Sequence, residues 1–257
     1  MILLNAQEIA QNLPFGEVKV FEEIDSTNEY LLKHFKTLPS GTLCLTETQT
    51  AGRGRRGRQW YSPFGQNLYF SMLWRYQQAE MSNISALSLI VALVIAETFE
   101  QLDVKDIQIK WPNDIYYQGK KMGGILIESK IDHEDIYLVI GIGLNLAMET
   151  INPAIVNQPW ADLSAYHFDR NRLANQLART LQQTLQDCPH QHLGDYLARW
   201  QKFDCFYQKP VKLITATTEI HGIAQGINAQ GELLLQQGEK IVPFAIGELS
   251  LRENILP

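Results

Sequence analysis

Residues 43–47 and 68–74 have the composition and spacing of β-strands, with Leu68, Phe70 and Met72 alternating against Tyr69 and Ser71. Between them, Gly52-Arg53-Gly54-Arg55-Arg56-Gly57-Arg58 places four arginines and three glycines in seven residues. The segment therefore reads as a loop joining two sheet strands, and its chemistry is that of a mobile anion clamp. Glycine lets a backbone come close to a ligand, and arginine offers planar, permanently charged donors that match carboxylate and phosphate oxygens. Taken alone, the same run also fits a solvated loop or a nucleic-acid contact.

The rest of the chain argues against nucleic acid. Its formal net charge is -6, and outside the loop basic residues are scattered among acids, so no extended basic face exists to track a phosphate backbone. With 257 residues, 45% of them hydrophobic, the chain can bury a full core as one large domain or as one large and one small. The first residues carry neither a basic leader nor a small-residue cleavage site. The longest apolar run, residues 89–96, is far short of the ~20 needed to cross a bilayer. No export and no membrane partner are expected. Cys44, Cys188 and Cys205 are odd in number and widely spaced, which points to reduced thiols and a cytoplasmic location. His190-Gln191-His192 reads as a surface loop, lacking further ligands nearby.

Asn5 with Glu8 predicts a capped helix over 6–13, ending before Pro14. Val18, Val20 and Phe21 predict a strand, and Ser26 with Glu29 caps a helix carrying Tyr30, Leu31, His34 and Phe35. Asp25-Ser26-Thr27-Asn28 thus lies at a strand-to-helix junction, where unpaired N–H groups and small polar side chains suit a polar ligand head or simply cap the helix. A long apolar helix is expected over 82–102. A strand through Ile107, Ile109 and Trp111 should stop at Pro112. Hairpins follow, pairing 115–117 with 122–128 around Gln118-Gly119-Lys120, and then 136–146 after a polar turn at 132–135. Helices are expected at 173–185 and 196–203. Beyond Pro210 the short strands 211–214, 221–227, 233–235 and 241–244 predict a small barrel. The expected fold is α+β, a mixed and mostly antiparallel sheet flanked by helices, divided into residues 1–207 and 208–257.

Lys110-Trp111-Pro112-Asn113-Asp114 brings a cation, an aromatic and a carboxylate to a strand end, and Lys121-Met122-Gly123-Gly124 follows across the hairpin. Each has an ordinary explanation: Trp111 as core, Asp114 as a turn residue, Lys121 as a solvated charge, the glycines as a bulge. Together they also fit a ligand lying against glycine strands, with Lys121 on an anionic oxygen and Asp114 near a magnesium ion.

The order Ser26-Thr27-Asn28, Gln49 with 52–57, Lys110 to Asp114, Lys121 to Gly124, then Gly141-Ile142-Gly143-Leu144-Asn145 resembles the biotin protein ligases, over nearly the whole chain. The resemblance implies a catalytic domain like that of class II aminoacyl-tRNA synthetases and a C-terminal SH3-like barrel. It also implies ATP-dependent transfer of biotin, through biotinyl-5′-AMP, to a lysine of the biotin carboxyl carrier protein of acetyl-CoA carboxylase. By the same match, Ser26, Thr27, Asn28, Gln49 and Gly124 would line biotin. Gly52, Arg53, Gly54 and Arg55 would fold over it, and Lys121 would reach the carboxylate or phosphate. Arg53, Arg55, Lys121 and Asp114 would be catalytic, with Asp114 near Mg2+. Arg55, Lys110, Asn113, Asn145 and Trp160 would meet the nucleotide, Trp160 ending a second loop at 147–159 that holds Pro153 and Pro159. A lipoate or octanoate ligase is the nearest rival. Edge strands would serve a homodimer or carrier docking. The chain starts about two dozen residues before Asp25, so no winged helix-turn-helix and no repressor role are expected.

Overall fold

The structure, a computed structural model, describes all residues except 1, 79–85, 149–151, 153, 157, 191, 216–217, 247–249 and 254–257. The larger sheet has seven strands: β1 (Val18–Ile24), β2 (Leu43–Gln49), β3 (Leu68–Gln77), β4 (Ile107–Lys110), β5 (Asp114–Tyr117), β6 (Lys120–Asp132) and β7 (Asp135–Leu144). Their order is β1-β2-β3-β7-β6-β5-β4. Only β1 and β2 run parallel. A parallel pair needs a crossover, and α2 (Thr27–His34) supplies it.

The helices divide between the two faces unequally. α3 (Leu87–Gln101) is buried nearly all round, as its lack of a polar stripe demands, and with α4 (Arg170–Asp187) and α5 (Leu197–Phe203) it covers one face of the sheet. Leu68, Phe70 and Met72 of β3 and Ile140, Ile142 and Leu144 of β7 point into this main core. On the opposite face α2 covers only a small cluster of Leu31, Cys44, Leu73 and Val139.

The C-terminal residues form a five-stranded antiparallel, SH3-like sheet of β8 (Pro210–Ile214), β9 (Glu219–Ile227), β10 (Leu233–Gln237), β11 (Lys240–Phe244) and β12 (Ser250–Glu253), ordered β11-β10-β9-β8-β12. Its apolar residues Val211, Leu213, Leu235 and Leu251 belong to the main core. Trp111 Nε1 donates to the Gly231 carbonyl at 3.1 Å, tying this sheet to the residue after β4, and in the segment leading into the sheet Cys205 N donates to the Ile109 carbonyl at 3.0 Å.

Three local expectations are corrected. The first helix, α1 (Ala6–Ile9), has four residues rather than spanning 6–13. Asn5 caps it as expected, but the chain turns through a left-handed Asn12 at φ 56° before Pro14. β12 was not foreseen, because four residues carry too little alternation to declare a strand. The reciprocal capping box at Ser26 is incomplete: Ser26 Oγ accepts from Glu29 N at 3.4 Å, but the Glu29 carboxylate turns to Arg53. The start of the long apolar helix at 82–85 and the middle of the His190-Gln191-His192 run lie outside the described residues.

Candidate active site

A cavity of about 550 Å³ opens on the sheet face beyond α2, within the usual size range of small-molecule sites. Strand register builds its floor. Ser71, Gly141 and Leu126 are neighbours across β3, β7 and β6, and Tyr69, Gly143 and Gly124 form the next row. The glycines are there because side chains from above come down onto the sheet. A Cβ on Gly141 would lie 2.2 Å from Asn28 Oδ1, and one on Gly143 would lie 2.5 Å from the Trp60 ring. Gly141→Ala should therefore displace Asn28 and weaken binding of the cavity's ligand by about tenfold or more, the usual cost of overpacking. Calorimetric titration alongside a melting curve would check this.

One end of the cavity is a chain of short, buried, neutral dipoles. Ser26, Thr27 and Asn28 are each at most 4% exposed. Thr27 N and Oγ1 both donate to Gln49 Oε1, at 3.0 and 3.2 Å, and Gln49 Nε2 donates to Ser62 Oγ at 3.1 Å. Ser71 Oγ lies 2.7 Å from Thr27 Oγ1 and 2.6 Å from Asn28 Oδ1, with a single proton to share between them. Asn28 Nδ2 donates to Glu128 Oε2 at 2.9 Å. Such a set can read donors and acceptors on an uncharged polar head.

The other end is cationic. Lys121 Nζ is 2.7 Å from Asp114 Oδ1 and 5.6 Å from the centre of the Trp60 ring. Arg55 Nη1 donates to Asn113 Oδ1 at 2.8 Å, and burial lowers its pKa, with Arg56 adding to the effect. Lys110 Nζ donates to Tyr116 Oη at 2.9 Å. Burial pulls the Lys110 ammonium down to about 8, against the opposing pull of Asp114, and Arg252 adds to the depression. Burial likewise pushes the Tyr116 phenol upward. An arriving anion would relieve the crowding of positive charge here.

The arginine loop is a narrow hairpin leaning over this cavity. Trp60 N donates to the Gly52 carbonyl at 2.8 Å and Gly54 N to the Arg58 carbonyl at 2.7 Å, with Arg56 left-handed at φ 59° between them. Gly52 is at the hairpin base, where a Cβ would lie 2.6 Å from the Trp60 carbonyl oxygen. Arg53 departs from the expected clamp: its Nη1 lies 2.8 Å from Glu29 Oε2 and its Nη2 contacts Glu128.

Of the residues expected from sequence, Ser26, Thr27, Asn28, Gln49, Arg53, Gly54, Arg55, Lys110, Asn113, Asp114, Lys121 and Gly124 border this one cavity. Gly52, Asn145 and Trp160 do not border it. Asn145 Nδ2 donates to the Ala161 carbonyl at 3.1 Å, and Trp160 bridges Lys121 through the backbone, so both brace the segment behind Lys121. Pro153 lies outside the described residues, while Ala154, Ile155 and Gln158 of the same loop face the cavity. Trp60 and Arg252 are among the lining residues that the sequence did not assign to the site. Trp60 lies over Gly143 and Gly124, and its Nε1 is buried without a partner among the described residues. Its place beside an arginine-rich loop was the available signal. Arg252 reaches the cavity from β12, and nothing local in the sequence marks it.

Among the described residues no three His, Cys, Asp or Glu side chains are grouped as metal ligands, and Asp114 is the one carboxylate on the cavity wall. That donor set does not make a cage. It fits magnesium arriving with a nucleotide, where phosphates and waters supply the other ligands.

Comparison with known proteins agrees with this geometry. Residues 20–145 match the Biotin/lipoate A/B protein ligase family and residues 208–252 match the Biotin protein ligase C terminal domain. The chain is 47% identical over 253 residues to the Bifunctional ligase/repressor BirA of Escherichia coli (strain K12), covering 97% of this chain and 78% of that protein. It is 31% identical to the Biotin--[acetyl-CoA-carboxylase] ligase of Paracoccus denitrificans, covering 86% of this chain and 95% of that one. Among solved structures, the biotin protein ligase from Aquifex aeolicus in complex with biotin and ATP superposes with a TM-score of 0.81 at 29% identity, over 92% of this chain and 99% of that one. The chain belongs to the biotin protein ligase family.

Proposed function

We propose that this chain activates biotin with MgATP and transfers it to a lysine of the biotin carboxyl carrier protein of acetyl-CoA carboxylase, in the cytoplasm. The observation that carries the reading is the join of two chemistries in one cavity: neutral dipoles at Ser26 to Asn28 and Gln49, backed by the buried Ser71, and cations at Lys110, Lys121 and Arg55. Biotin has a neutral ureido head and an anionic tail carboxylate, and ATP brings more negative charge to the same end. The Aquifex aeolicus relative is described in complex with both.

In the first step the biotin carboxylate oxygen bonds to the α-phosphorus, the bridging P–O bond breaks, and pyrophosphate leaves. Two anions must meet, so the protein's task is to screen them and stabilise the charge that builds on the phosphate. We assign that role to Lys121, together with Arg55, which lines the same cavity from the loop. Asp114 keeps Lys121 oriented and is the group available to the magnesium of MgATP. In the second step the carrier lysine amine attacks the acyl carbon, AMP leaves, and the amine sheds its proton. No protein nucleophile is required, in keeping with a cavity wall that has no Ser–His or Cys–His pair among the described residues. Loop closure would keep water from the mixed anhydride.

Arg252 is assigned to the triphosphate because it enters from the C-terminal sheet and crowds Lys110. Arg252→Ala should raise the KM for ATP about tenfold, as expected for one charged contact, and leave biotin affinity unchanged. Steady-state exchange kinetics with each substrate varied would check it. The overall reading is tested by biotin-dependent exchange of labelled pyrophosphate into ATP without carrier protein, with lipoate and octanoate in parallel. Exchange with lipoate instead of biotin would select the sister activity. Exchange with none of the three acids would end the adenylation reading.

We assign no DNA-binding role, on the strength of the net charge of -6 and a loop in which Arg53 contacts Glu29 and Glu128 and Arg55 contacts Asn113. The outer edge of β1, which pairs only with β2 among the described strands, is the surface we assign to a homodimer or to the carrier. The division at residue 208 is retained as a proposal, supported by the change to short antiparallel strands from Pro210 onward.

A further inference from the structure

Arg53 borders the cavity, yet its guanidinium is held by two carboxylates from different elements. Glu29 comes from the first turn of α2, one residue after Asn28, at 2.8 Å. Glu128 comes from β6, on the same sheet face as Leu126 and Gly124. The Glu128 oxygen that meets Arg53 is the one that accepts from Asn28 Nδ2 at 2.9 Å. Arg53 is also the second residue of the hairpin and bridges Gln59 across it, so fixing Arg53 fixes the base of the loop.

We propose that Glu29 and Glu128 latch the arginine loop through Arg53, and that Glu128, by holding Asn28 as well, joins loop closure to the polar head pocket. Arg53 and the two glutamates are positioning residues; the inference rests on the proposed reading that Asn28 contacts the biotin head. A carboxylate oxygen shared between a guanidinium and an amide orients both partners. A ligand that hydrogen-bonds Asn28 holds Glu128 in place, and Glu128 in turn holds the loop base. The latch is weak enough to open: the side chains of Arg53, Glu29 and Glu128 are 36%, 32% and 29% exposed, and Lys33 competes for Glu29 at 3.7 Å. Partly exposed pairs are modest and salt-sensitive. Ligand entry and product exit both require that.

The loop supplies its own reporter, since trypsin cuts after Arg55, Arg56 and Arg58 when they are accessible. In the ligand-free full chain, Arg53→Gln should speed loop cleavage by about tenfold, the combined effect expected of two such pairs, and Glu128→Gln and Glu29→Gln, which remove one pair each, by about threefold. The Arg53→Gln/Glu128→Gln double variant should be cut no faster than Arg53→Gln alone, which already removes both pairs. By calorimetry, biotin affinity should fall about tenfold in Glu128→Gln and less in Glu29→Gln, which leaves Asn28 held. Unchanged cleavage in all three single variants at an unchanged melting temperature would overturn the latch, and Glu29→Gln, on the half-exposed surface, guards against misfolding. Failure of the parent chain to bind biotin would overturn the functional reading, while the ligand-free cleavage rates would still decide the latch.

Discussion

Lys121→Ala should slow biotin-dependent pyrophosphate exchange by about 10²–10³-fold, the usual loss when one donor to developing charge is removed, and weaken biotin binding by less than tenfold. The asymmetry follows from where charge grows. In the ground state the carboxylate and the triphosphate each carry charge that water and magnesium can share. As the new P–O bond forms, charge concentrates on phosphate oxygens inside a cavity where solvent is sparse, and a fixed ammonium counts for most there. Lys121 is held for this by Asp114 at 2.7 Å and by the Trp60 face, with its side chain 16% exposed. Truncation also leaves the Asp114 carboxylate facing an anionic substrate without its partner. Part of the loss should therefore be recovered in Lys121→Ala/Asp114→Asn, and the recovered fraction separates repulsion by Asp114 from loss of the ammonium. Exchange kinetics and calorimetry on the same preparations would measure both. Equal losses in rate and in biotin affinity would assign Lys121 to ground-state binding.

The frame of this site was readable in the sequence because it depends on local periodicity. Alternation located β3 and the β5–β6 and β6–β7 hairpins, and the arginine loop does join β2 to β3. What was unreadable depends on contacts between distant residues. Arg53 reads as an anion clamp when only its neighbours are considered, and its contacts with Glu29 and Glu128, 24 and 75 residues away, could not be read from them. Gly141 and Gly143 are marked in the sequence as strand glycines, but the reason for each is Asn28 or Trp60 descending onto the floor. Arg252 needed the docking of one sheet against another, which no local pattern encodes. Asn145 and Trp160, which motif matching assigns to the nucleotide, lie behind the cavity wall, where Asn145 bonds the Ala161 carbonyl and Trp160 bridges Lys121.

Arg170→Leu should destabilise the fold by about 3–5 kcal/mol in denaturant unfolding, the cost of stranding one member of a buried ion pair. Arg170 opens α4 and is 8% exposed; its partner Glu47, on β2, is 2% exposed and lies 2.7 Å away. The pair does more than neutralise itself. Arg170 also donates to the carbonyls of Asn67 and Ile2, at 3.2 and 2.8 Å, and the second Glu47 oxygen accepts from Leu4 N at 2.5 Å. The two charges therefore hold the N-terminal segment against β2, two residues before Gln49. The loss in Arg170→Leu comes chiefly from the Glu47 carboxylate left without a counter-charge. Glu47→Gln combined with Arg170→Leu removes that charge and should restore a large share of the stability, yet the Ile2 and Asn67 carbonyls lose a donor, so recovery should stop short of the parent. Full recovery would mean that the pair contributes nothing beyond cancelling its own desolvation. No recovery would mean that stability resides in the backbone contacts of the N-terminal segment and that the charge on Glu47 is incidental.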